Sequence, residues 1–138
     1  MPLLLIRHAS AGSRENWLGD DSLRPLDKRG RRDARMLVEL LADLQIDRVL
    51  TSPYRRCVET VEPLAAAREL EPELRDELGE ERQMSDGVEL VRSLTEANVA
   101  VCGHGGLESA LGDPPKWRKG TVFVVGDALE IVEIRRPG

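Results

Sequence analysis

Aromatic residues are nearly missing from this chain: one Phe, one Tyr and two Trp among 138 residues. The core must therefore be built from Leu, Val, Ala and Ile. Cysteine is as scarce. Cys57 and Cys102 have neither metal-ligand nor redox-motif spacing, which excludes a cysteine metal site or a CxxC redox centre. Long apolar runs are lacking too. None approaches the ~20 residues of a membrane span, and Leu3–Ile6 runs straight into Arg7, too short for the apolar part of a signal peptide. The expectation is a reduced, cytoplasmic domain with no membrane partner. There is no excess of positive charge: 20 basic against 25 acidic residues give a net charge of −5. That argues against a nucleic-acid partner. The densest basic run, RGRRDAR at 29–35, lies on an amphipathic pattern and reads as a solvated helix face.

What is present is an alternation of short apolar runs and helical patterns. No repeat, linker or low-complexity tract interrupts it, so residues 1–138 read as one domain. Leu3–Ile6 suits a fully buried parallel strand. A polar loop follows to about Pro25. Asp27 is a fit N-cap for a helix whose apolar face is Ala34, Leu37, Val38, Leu41 and Leu44. Arg48–Thr51 predicts a second strand. Ser52-Pro53 then predicts a helix start, with Ser52 as cap, and Pro63 should kink or end that helix. A short strand is expected near Leu74, a helix over 85–97, and a strand at Val99–Cys102. Thr121–Val125 and Leu129–Ile134 form a terminal antiparallel pair around Gly126-Asp127. The fold class expected is α/β: a three-layer sandwich with a mostly parallel central sheet, helices on both faces, and a C-terminal antiparallel strand pair.

The chain has only two histidines, and both follow strands: His8 after LLLIR, His104 after VAVCG. Ligands of open parallel sheets bind outside the carboxyl ends of the strands, so two such histidines can meet. A third strand, RVLT, opens a helix with Arg55 and Arg56 in its first turn. There a guanidinium can reach a ligand that the free helix N–H groups already favour as an anion. Arg7, His8, Arg56 and His104 thus make a candidate anion site. Phosphate suits it, because arginine forks match phosphate oxygens and a neutral imidazole can carry a covalent intermediate. Each motif alone has a plainer reading: GHGG as a turn, SPYRRC as an ordinary helix start. A zinc reading has two histidines but no HxH or HExxH spacing, so no metal and no cofactor is expected.

These motifs together resemble the histidine phosphatase superfamily, the phosphoglycerate mutase-like family. LLLIRHASAG is similar to its RHG signature, with Ala9 for the usual glycine. TSPYRRCVET is similar to its second motif, which puts Arg56 in the phosphate-binding place and Arg55 in a variable one. VCGHGG is similar to the third, and SLRPLDKRG resembles the loop into the first helix. The short chain resembles the SixA-type phosphohistidine phosphatases in particular, a minimal domain without an inserted cap. Ala11 stands where mutase-like members carry serine or threonine, a departure that argues against phosphoglycerate mutase-like phosphotransfer.

The resemblance implies a phosphatase acting in two steps. Neutral His8 takes the phosphoryl group, Arg7, Arg56 and His104 neutralise its oxygens, and water releases phosphate. A backbone carbonyl should hold the other ring nitrogen of His8. The general acid would be one of Asp76, Glu77, Glu80 and Glu81; Glu77 is chosen because its Glu-Leu pair matches SixA-like chains. The implied substrate is a phosphohistidine on a partner protein or a small phosphate ester. The competing reading is a catalytically weak phospho-ligand binding or regulatory module on the same fold.

Overall fold

A computed structural model describes residues 2–80, 84–94 and 98–138. Six strands form one sheet in the order β3-β2-β4-β1-β5-β6: β1 (Leu3–Arg7), β2 (Arg48–Thr51), β3 (Glu73–Leu74), β4 (Val99–Gly103), β5 (Val122–Val125) and β6 (Ile131–Arg135). The first four are mutually parallel, and β5 and β6 close the sheet as an antiparallel pair. This is the expected α/β sandwich.

β1 and β4 lie side by side, with Arg7 opposite Gly103. Both are buried along almost their whole length, which is why their sequences read as continuous apolar runs rather than alternating ones. Helices α1 (Lys28–Leu40) and α2 (Arg55–Ala67) pack on one face over Leu4, Ile6, Val49 and Ala100. Helix α3 (Met84–Arg92), a 3₁₀ turn at Leu107–Leu111 and the indole of Trp117 cover the other, over Leu3, Leu5, Leu50 and Val101. Among the described residues no helix is long and apolar enough to cross a membrane.

Asp27 caps α1 as expected, and does more. One carboxylate oxygen accepts from the Gly30 N–H at 2.8 Å; the other accepts from the Ser10 hydroxyl at 2.6 Å and the Gly12 N–H at 3.0 Å. The cap therefore ties α1 to the loop that leaves β1. Gly30 allows the approach, since a Cβ there would lie 2.0 Å from the Ser10 carbonyl oxygen. Ala9, Ala11, Leu26 and Ala34 form a small apolar plug beneath this junction.

Three expectations shift. Helix α2 begins at Arg55 with Tyr54 as its cap residue, not at Ser52, because the Ser52 hydroxyl faces His104 as well as accepting from the Tyr54 N–H. The helix runs on through Pro63 to Ala67. The lost backbone bond is outweighed by burial of Val61, Leu64 and Ala65 on either side of it. Helix α3 ends at Arg92, residues 93 and 94 form a turn, and the last part of its expected span, 95–97, lies outside the described residues.

Candidate active site

The carboxyl ends of β1, β2 and β4 converge, and the structure brings Arg7, His8, Arg56 and His104 together there. The rings of His8 and His104 stand 5.4 Å apart, edge to face at 62°. Both histidines are buried. Arg56 is fully buried although it is a cation, so its partners decide whether it can stay charged. Its guanidinium donates to the Asp21 carbonyl at 2.9 Å and the Asp21 carboxylate at 3.1 Å, and lies over the Tyr54 ring at 4.9 Å. Arg7 donates to the Trp117 carbonyl at 2.8 Å. Gly105 gives it room, because a Cβ at 105 would stand 3.2 Å from the guanidinium carbon.

The two imidazoles are held by opposite nitrogens. Nδ1 of His8 lies 2.8 Å from the Ala9 carbonyl; a carbonyl only accepts, so Nδ1 carries the proton and the Nε2 lone pair is left for chemistry. This is the kind of backbone tether the sequence called for. Burial foremost, with the positive charges of Arg56 and Arg7 adding to it, lowers the His8 pKa to about 3. The imidazole is therefore neutral, as a nucleophile must be, throughout the physiological range. On His104 it is Nε2 that is tied, 2.9 Å from the Ser52 hydroxyl and 3.6 Å from the Cys57 sulfur. Its Nδ1 points to the Glu80 carboxylate at 3.4 Å without a hydrogen-bond partner.

Nε of Arg7, Nε of Arg56 and Nδ1 of His104 are all buried with no hydrogen-bond partner in the protein. Unpartnered buried donors are costly, and here they belong to three of the four residues that converge. They fit a tetrahedral oxyanion. A cleft of about 490 Å³ opens beside Arg7, His8 and Arg56, lined also by Arg14, Arg24, Glu80 and Lys119; His104 lies outside its lining and reaches it through Glu80.

Glu77 and Glu80 part company. Glu77 pairs with Arg75 at 2.8 Å. Glu80 lies 3.4 Å from both Arg56 and His104 and pairs with Arg14. Of the four acidic candidates, Glu80 is thus the one seen against Arg56 and His104, three residues beyond the one chosen from the Glu-Leu pair, while Glu81 lies outside the described residues. The turn at Asp76–Leu78 sets this register: its capping N–H at Gly79 bonds the Asp76 carbonyl and swings residue 80 toward the site.

Sequence reasoning also missed Asp21, Ser52, Tyr54 and Lys119. Asp21 follows Asp20, whose carboxylate accepts from the Ser22 N–H at 2.9 Å; that local Asx turn was the available signal. Nothing in the spacing of Lys119 announced it. Among the described residues no group of three or more His, Cys, Asp or Glu side chains is arranged to hold a metal.

Comparison with known proteins agrees with the fold and shows the family. The fold matches that of the protein histidine phosphatase SixA complexed with tungstate, with a TM-score of 0.81 at 22% identity, over 99% of this chain and 97% of that one. It also matches the alpha-ribazole phosphatase of Shigella flexneri, with a TM-score of 0.75 at 20% identity, over 100% and 98%. In sequence the chain is 36% identical over 110 residues to the 8-oxo-(d)GTP phosphatase of Mycolicibacterium smegmatis, covering 75% of this chain and 34% of that protein. It thus spans about a third of that curated relative's length. Residues 3–86 match the model of the histidine phosphatase superfamily (branch 1), which contains β1, both arginine-bearing segments and the acidic turn, and the chain belongs to that family.

Proposed function

We propose that the protein is a metal-independent phosphatase working through a phosphohistidine on His8. The observation that carries this is the pairing of a free, neutral Nε2 on His8 with three unpartnered buried donors around it. In the first step the Nε2 lone pair forms a bond to phosphorus, and the bond from phosphorus to the leaving group breaks. Arg7, Arg56 and His104 neutralise the charge that spreads over the equatorial oxygens, a positioning and electrostatic contribution. In the second, water forms a P–O bond, the P–N bond breaks, and Nε2 recovers its lone pair. Glu80, which lines the same cleft as His8, is our candidate to give a proton to the leaving group in the first step and to take one from the attacking water in the second.

The substrate class is a phosphohistidine on a partner protein or a small phosphomonoester, nucleotides included. The likeness to SixA supports the first, and the named activity of the mycobacterial relative supports the last. We take residues 1–138 as a minimal histidine phosphatase domain without an inserted cap, and such a domain leaves the cleft open to either. A panel of p-nitrophenyl phosphate, a phosphohistidine protein and nucleotides, compared by kcat/KM, tests the reading. Turnover of at least one, with release of orthophosphate, is expected. Binding of phosphate esters without turnover of any would instead make the chain a phospho-ligand binding module.

A further inference from the structure

Beside the first cleft lies a second, of about 420 Å³. Six cations line it, Arg7, Arg29, Lys116, Arg118, Lys119 and Arg136, against one carboxylate, Asp33. Arg7 and Lys119 line both clefts, so the two adjoin.

The segment that supplies most of these charges is rigidly mounted. Trp117 is buried, stacks on Phe123 at 5.9 Å, donates its indole N–H to the Thr121 carbonyl, and offers its own carbonyl to Arg7. Three residues on, the Gly120 N–H bonds the carbonyls of Arg7 and His8 at 3.1 and 3.2 Å. Gly120 has φ +79°, a conformation that favours glycine. The sequence Lys-Trp-Arg-Lys-Gly is therefore an anchor with three exposed cations around it, fastened to the backbone of the two residues at the heart of the site.

Among the described residues Arg29, Lys116, Arg118, Lys119 and Arg136 have no ion pair. Other cations, Lys28, Arg31, Arg35, Arg68 and Arg92 among them, share that lack, but these five are set apart by lining one cleft. Burial and then the guanidiniums of Arg7 and Arg24 push the Lys119 ammonium below its ordinary range. In a chain of net charge −5, like charges gathered in one concavity are repulsive until an anion enters.

We infer that the second cleft is a subsite for a further phosphate group, so that the protein takes a chain of two or more linked phosphates. One phosphoryl group lies on His8 and the next reaches past Lys119 to Lys116, Arg118 and Arg136. The inference rests on the phosphatase reading only for which phosphoryl group is transferred; the subsite itself is a matter of binding. A nucleoside polyphosphate and an inorganic polyphosphate share this chemistry.

The test is a calorimetric titration with orthophosphate and with the bis-methylene analogue of tripolyphosphate, which is not hydrolysed. The native chain should bind the analogue at least ~10-fold more tightly than orthophosphate. The exposed pair Lys116→Gln/Arg118→Gln should lose roughly tenfold on the analogue, the scale of one or two charge-assisted hydrogen bonds, and far less on orthophosphate. An equal charge change elsewhere, Arg35→Gln/Arg92→Gln, should leave the ratio of the two affinities in place. The bis-methylene analogue of ATP separates the sources: tighter binding than the bare chain assigns the cleft to nucleotides, equal binding to phosphate chains as such. Equal affinity of the native chain for orthophosphate and the tripolyphosphate analogue would overturn the inference. So would an affinity ratio unmoved by Lys116→Gln/Arg118→Gln. An effect of that pair confined to a phosphohistidine protein would assign the cleft to protein docking instead. Turnover of p-nitrophenyl phosphate, measured on the same preparation, decides the phosphatase reading separately.

Discussion

His8 and His104 occupy matching places at the ends of adjacent parallel strands, yet the fold grips them by opposite nitrogens. His8 is held through Nδ1 by a backbone carbonyl one residue away, which leaves Nε2 free. His104 is held through Nε2 by the Ser52 hydroxyl, which leaves Nδ1 facing Glu80. A carbonyl tether fixes the tautomer of His8 outright, while a hydroxyl can donate or accept, so His104 keeps the freedom to give or take a proton. In the mechanism proposed above, the difference assigns the roles: one ring attacks, the other stabilises charge beside a carboxylate.

The buried arginine between Asp21 and Glu80 gives the largest expected effect after loss of His8 itself. Arg56→Ala removes a buried guanidinium and one of the partners of Asp21, and kcat/KM should fall by roughly two powers of ten or more. Arg55→Ala should be mild, since Arg55 is exposed and pairs only with Glu59 four residues on. Steady-state kinetics on an aryl phosphate checks the ranking; the reverse order would break the register of the second motif.

Next comes the carboxylate. Glu80→Gln should slow substrates with poor leaving groups by about tenfold or more, and slow phosphohistidine much less, whereas Glu77→Gln should leave leaving-group dependence as it is. A steeper dependence of kcat on leaving-group pKa in Glu77→Gln, with none in Glu80→Gln, would return the role to the earlier choice.

The pH dependence sharpens the His8 half of the comparison. With a folded pKa of about 3 against an unfolded value near ~6.5, His8 should add no limb to kcat/KM between about pH 5 and 8. The unfolded chain binds the extra proton between those two values, so stability should rise with pH across that window and level off above it. Urea unfolding from pH 4 to 8 would show the slope, and His8→Ala should flatten it by up to one proton. An unchanged slope in His8→Ala would mean that the ring is charged in the folded state.

How much of this was legible follows from which forces set each part. The strand-end histidines could be read because buried parallel strands announce themselves as apolar runs that stop at polar residues. Asp27 could be read because an N-cap is a local bond. Glu80 could not be told from Glu77, because the acidic turn has no periodicity and its register depends on where Arg75 and Gly79 are pinned. Helix α2 was started early at Ser52 because the hydroxyl's second partner, His104, is 52 residues away. Lys119 was invisible for the same reason: what places it is the bonding of Gly120 to the carbonyls of Arg7 and His8.

Ser52→Ala should give the smallest effect. It removes the tether from His104 and leaves Nε2 with Cys57 alone, which should cost about 1 kcal/mol of stability and a few-fold in kcat. Thermal unfolding and kinetics on the same variant would check both. An effect as large as that of Arg56→Ala would mean that Ser52 itself touches the substrate.

The asymmetry of the two rings is tested most directly by trapping the intermediate. Rapid quench at neutral pH with labelled substrate, followed by mass mapping under alkaline conditions that preserve phosphohistidine, should place the phosphoryl group on Nε2 of His8 and abolish it in His8→Ala. Label on His104 or on Cys57, or full turnover with His8 replaced, would contradict the account.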